Sequence, residues 1–179
     1  MKNRILSHKV LSTTLSALLL VAFMIAALPS PGAAAAAPDE PPPNDGAVAT
    51  RVLERRYQRV LDRSDRQQQI LVRVQELIVK ADEKLADMKA NGKDAASLEA
   101  ALDELRAAVT SSTAFLNQAE SVLATHPGFD ADGKVTDIDQ ARDTLYTVDD
   151  LLFESKEVLE HAARAVRRAI HEYRQDITV

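Results

Sequence analysis

Cysteine and tryptophan are absent from the 179 residues, and there are only five glycines, seven prolines, three tyrosines and four phenylalanines. Without cysteine the chain has no disulfide scaffold, no thiolate metal site, no thiol nucleophile and no lipidated Cys anchor. Its acidic balance, a formal net charge of -5, comes without a long basic tract, which argues against a dedicated nucleic-acid binder. The length allows one domain with or without a leader.

A leader is what the first 37 residues look like. Lys2, Arg4 and Lys9 precede the mostly apolar stretch from Leu11 to Leu28 (LSTTLSALLLVAFMIAAL), Pro29 and Pro31 interrupt it, and Ala33 to Ala37 offers A-x-A cleavage sites. That order is the order of a secretory signal. A stretch of roughly 18 residues also just spans a bilayer, so an uncleaved anchor is the alternative. Cleavage removes three positive charges and no negative ones, taking the net charge from -5 to -8. Pro38 to Gly46 (PDEPPPNDG) then reads as a polyproline spacer. An exported chain without disulfides relies on its apolar core.

After Gly46 the helix breakers stand at four positions, Gly92, Pro127, Gly128 and Gly133, and leave three uninterrupted runs, about 47–91, 94–126 and 136–177. Each is rich in good helix formers. In the first, Leu53, Tyr57, Val60, Ser64, Gln67, Leu71, Val74, Ile78, Ala81, Leu85 and Met88 alternate at spacings of four and three. The second repeats the pattern from Leu98 to Leu123, and the third from Ile138 to Tyr173. A heptad seam in every run, widened by flanking apolar residues such as Leu61, Ile70, Phe115 and Leu151, predicts an all-α fold. The expected architecture is an elongated, antiparallel, up-down-up three-helix bundle with coiled-coil-like seams. Helices of roughly 65, 48 and 60 Å would leave the first overhanging at its start and the third at its end, with Leu53 and Val166 uncovered there.

The turns carry local signals. Asn91-Gly92 predicts a helix stop and Asp94 a cap for the second helix. Pro127 excludes helical backbone at His126, and Thr136 with Asp139 resembles a capping box opening the third helix.

Two features point to possible sites. Arg51, Arg55, Arg59 and Arg63 form an i, i+4 row near a helix N-terminus, where like charges repel and cations oppose the helix dipole. The acids Glu120, Asp130, Asp132, Asp137, Asp139 and Asp143 would lie beside this row in the expected topology. Inter-helix pairing, plain solvation and an anionic partner are three readings of it. The second feature is Gly128 to Asp139 (GFDADGKVTDID), which resembles the calcium loop of EF-hand and dockerin modules. Gly133 matches the glycine of that loop, and Asp130, Asp132 and Asp139 match ligand positions, whereas Gly128 stands where the first ligand is normally Asp. The plainer reading is an acidic inter-helix loop with Asp in turn positions.

Nothing else suggests chemistry. His161 and His171 are too far apart to share a metal, Glu-x-x-His is absent, and the hydroxyls of Thr110 to Thr113 have no His-Asp partner at a recognisable spacing. Glu157 with His161 and Glu160 with Arg164 read as surface pairs on one helix. The leader, the three seams and the two turn segments (NGKD and HPGFDADGKVTD) together resemble a group of exported all-helical proteins of Chloroflexota-type bacteria. The resemblance spans about residues 50–175 and implies no activity, cofactor or site residue.

The expected function is therefore that of an exported, non-catalytic helical bundle. It would take a structural or protein-interaction role in the cell envelope or extracellular space, through an unknown protein partner or self-association. No nucleic acid and no cofactor is expected, calcium excepted, and membrane contact only through a retained leader. A calcium-responsive module and a periplasmic stress chaperone or sensor are the alternatives.

Overall fold

The computed structural model describes residues 45–178, and side chains within 46–175. The expected leader and nearly all of the expected spacer lie outside the described residues. Three helices pack as an all-α bundle: α1 (Asp45–Ala90), α2 (Ala96–Thr125) and α3 (Ile138–Thr178). The first begins two residues earlier than the sequence suggests, because Gly46 enters the helix instead of preceding it.

The seams account for the interior. All of the seam residues from Leu53 to Met88, from Leu98 to Leu123 and from Ala141 to Tyr173 are buried, and only Ile138 is half-buried. Two compact units divide the chain, each holding a stretch of all three helices. The turn unit consists of Ile70–Ser112 and residues 157–178; the loop unit consists of residues 45–69 and Thr113–Lys156.

In the turn unit α1 ends in a Schellman motif. The Lys93 amide donates to the Met88 carbonyl (3.1 Å), the Gly92 amide donates to the Lys89 carbonyl (3.0 Å), and Gly92 supplies the left-handed residue at φ +70°. Asp94 then accepts the Ala96 amide (3.0 Å) at the start of α2, satisfying one of the first-turn donors. Lys89 reaches Glu99 at 2.8 Å, and Arg106 bridges Asp82 and Asp103, so α1 and α2 run antiparallel. His161 meets Glu104 of α2 at 3.1 Å rather than Glu157 of its own helix, while Glu160 and Arg164 pair as expected at 3.9 Å.

In the loop unit the connection 126–137 folds onto the helices. His126, in the left-handed region at φ +34°, ends α2, and its Nδ1 lies 2.9 Å from the Phe129 carbonyl. Phe129 stacks on Tyr57 of α1 with ring centroids 4.2 Å apart. The Val135 amide donates to Glu54 (3.4 Å), Lys134 pairs with the same carboxylate (3.2 Å), and the Thr144 hydroxyl donates to the Pro127 carbonyl (2.9 Å). The expectation that Leu53 and Val166 lie uncovered is corrected, since both are buried, Leu53 within the unit whose long loop packs on α1. The cap of α3 is also corrected. Asp137, not the Thr136–Asp139 pair, accepts the Asp139 and Gln140 amides, each at 3.0 Å.

Polar residues enter the seam of the loop unit at Ser64, Gln67 and Ser155. Gln67 donates to the Ser155 hydroxyl at 3.1 Å, which satisfies a buried amide that would otherwise destabilise the core.

Candidate interaction surface

Within the loop unit α1 and α3 run parallel, since Glu54 meets Lys134, Arg56 meets Asp149, and Gln67 meets Ser155. Along the groove between them Asp149 binds two arginines. One oxygen accepts from Arg56 through Nε (3.0 Å) and Nη2 (2.5 Å), and the other accepts from Arg63 Nη1 (2.5 Å). The Asp149 carboxylate, hydrogen-bonded to Arg56, holds that guanidinium above its ordinary value, against the opposing effect of burial. The Arg56 guanidinium also lies over the Tyr146 ring, 5.0 Å from its centroid.

Two aromatic side chains flank this triad on α3. Tyr146 is 58% exposed and Phe153 is 54% exposed, three residues before and four residues after Asp149. That spacing puts them on one helical stripe. Both leave apolar ring surface in water, and the aromatic–arginine combination is the composition of interaction hot spots.

The arginine row is thus split. Arg63 is bound by Asp149, whereas Arg55 and Arg59 are exposed on the outer side of α1, and Arg51 is exposed but engaged. Pairing between helices compensates the row at Arg63, through Asp149, an acid outside the cluster from Glu120 to Asp143. Sequence reasoning missed Asp149, Tyr146, Phe153 and Arg56. The signal available was the outward heptad of Tyr146 and Phe153, two aromatics seven residues apart and off the seam.

The acidic loop uses its carboxylates locally. Asp130 accepts the Asp132 amide (2.9 Å) and the Lys134 amide (2.8 Å), closing a tight turn with Gly133 at φ +74°. Asp139, on the first turn of α3, is paired with Arg142 at 3.3 Å and its side chain is 91% exposed. Asp132 is exposed. Among the described residues no three His, Asp or Glu side chains are grouped to hold a metal ion, so Asp130, Asp132 and Asp139 are not drawn together.

A shallow depression between α1 and α2 is lined by Leu61, Ser64, Asp65, Glu120, Leu123 and Ala124. Its one hydroxyl, that of Ser64, belongs to a buried seam residue. None of the described helices is long and apolar enough to cross a membrane. No family model, curated protein or solved structure matches this chain.

Proposed function

We propose that the chain is an exported, non-catalytic helical-bundle protein that works as an interaction module in the cell envelope or extracellular space. The observation that carries this reading is the exposure of Tyr146 and Phe153 on either side of the Arg56–Asp149–Arg63 triad. The triad fixes the two arginine side chains in advance, so a partner docking on the aromatics spends little rotamer entropy on this part of the surface. The address rests on the signal-like order of residues 1–37.

Photo-crosslinking in the producing cell tests both parts. A crosslinking residue at position 153 should give discrete protein adducts in the exported fraction. The same residue at position 79, where Val79 is 59% exposed on α1, should give none. Equal labelling at both positions, or a chain retained in the cytoplasm, would contradict the proposal.

A further inference from the structure

The outer surface of the loop unit carries two further stripes at heptad-like spacing. On α3, Asp143, Tyr146, Asp150 and Phe153 follow one another at intervals of three, four and three residues, and all four are exposed. On α1, Val48, Val52, Arg55 and Arg59 follow at four, three and four, and are likewise exposed, Val52 to 52%. Successive helical residues turn by about 100°. On α3 this rotation carries the surface outward from Asp149 to Phe153, Tyr146, Asp150 and Asp143. On α1 it carries it outward from Arg56 and Arg63 to Val52, Arg59 and Arg55. The two stripes therefore border one groove, valine and arginine on one bank, acid and aromatic on the other.

We infer that this face is self-complementary and that its occupant is the same face of a second copy of the chain. The inference rests on the interaction reading above and names the partner. Charge complementarity selects the arrangement. Stacking α1 on the other copy's α1 would set Arg55 and Arg59 against the same arginines, and stacking α3 on α3 would oppose Asp143 and Asp150. A two-fold axis running along the helices avoids both, because it places α1 of each copy over α3 of the other. The contact is isologous and closes after two chains. Arg55 and Arg59, which repel each other at i, i+4 within one chain, then face Asp143 and Asp150. Val52 and the Arg stems cover Tyr146 and Phe153, which removes apolar surface from water.

The test is the molar mass of the purified full chain in solution by sedimentation, from micromolar to several hundred micromolar. A dimer is expected that weakens as ionic strength rises, since rim charges are screened. Reversing one bank (Arg55→Glu with Arg59→Glu) should give monomers, and so should reversing the other (Asp143→Lys with Asp150→Lys). All four positions are exposed, so circular dichroism should show both variants folded. Mixing the two variants in equal amounts should restore a dimer, because both α1–α3 contacts regain opposite charges. The mixing arm responds only to this face and is blind to association through any other segment. A monomeric wild-type chain at every concentration, a dimer untouched by either reversal, or a mixture that stays monomeric would overturn the inference. In the first of these cases, adducts that persist at position 153 keep the interaction reading and remove only the second copy.

Discussion

The two units of this chain answer the same problem, how to close a helical connection, in different ways. In the turn unit the connection is five residues long, residues 91–95, held by backbone hydrogen bonds around Gly92, whose Cα faces open space. The seam there is apolar at every α1 position from Leu71 to Met88, and its cross-helix ion pairs lie at the exposed edge. In the loop unit the connection is long, and it becomes part of the interior. Phe129 stacks on Tyr57, Glu54 is bound by the loop, and polar residues occupy the seam at Ser64, Gln67 and Ser155. The difference teaches that a short connection leaves the helices to pack by themselves. A longer one must bury its own backbone groups, and it brings aromatic and polar side chains with it.

The largest expected contrast lies between two glycines. A Cβ at Gly128 would stand 2.2 Å from the Ala141 backbone nitrogen, where no side-chain rotation relieves it, and φ there is +82°. Gly128→Ala should therefore destabilise by about 2–5 kcal/mol, combining the left-handed strain with overpacking. Gly92→Ala meets open space, so only the strain at φ +70° remains, about 1 kcal/mol after the gain from a stiffer unfolded chain. Urea melts of the two variants decide it. Equal losses would mean that the long loop is not packed on α3 as described.

Next comes the buried amide. Ser155→Ala leaves the Gln67 side-chain NH₂ without the acceptor at 3.1 Å and should cost about 1–3 kcal/mol. Adding Gln67→Leu should recover most of that, since α1 then presents an apolar seam there as it does from Leu71 to Met88 in the turn unit. A double variant no more stable than the single one would show that the layer's value is in packing, not in polar satisfaction.

These contrasts also mark what could be read from the sequence. Heptad spacing identifies which side of each helix faces inward, and it does so for every seam residue except Ile138, which is half-buried at the first turn of α3. Local turn chemistry is legible where the donor and acceptor are close in sequence, as at Gly92 and Asp94. It fails for Asp137, because Thr136 with Asp139 three residues on reads as a capping box while the residue between them takes the amides. Periodicity says nothing about which outward residues meet across a groove, and so Asp149 was hidden behind a cluster of acids nearer the loop. Nor does it reveal that a loop aromatic will find a seam tyrosine. That contact joins residues 72 positions apart, Tyr57 and Phe129, and it depends on the path of a non-repeating segment.

Surface charge gives a smaller contrast. Asp149 is 22% exposed and holds two arginines, whereas Asp82 in the turn unit is 47% exposed and holds Arg106. Asp149→Asn should cost about 1 kcal/mol and Asp82→Asn about 0.3 kcal/mol, the range of partly buried and exposed pairs. Both losses should shrink in high salt, that of Asp82→Asn more completely. A larger effect at Asp82 would reverse the ranking of the two units as hosts for charge.

The smallest effect is one the units share. Each buries a single tyrosine of the seam, Tyr57 in the loop unit and Tyr173 in the turn unit, and burial pushes both phenols above their ordinary value of 10.0. The unfolded chain releases these protons first as the pH rises, so the unfolded state binds fewer protons than the folded one. The associated stability is complete below pH 10 and is lost as the pH rises through the folded-state values. Thermal midpoints should therefore fall on the alkaline side. Tyr57→Phe and Tyr173→Phe should each flatten that fall, because phenylalanine keeps the buried ring and has no proton to lose. If only Tyr57→Phe flattened it, the phenol of Tyr173 would be reached by water in solution, and the turn unit would be the looser of the two around α3.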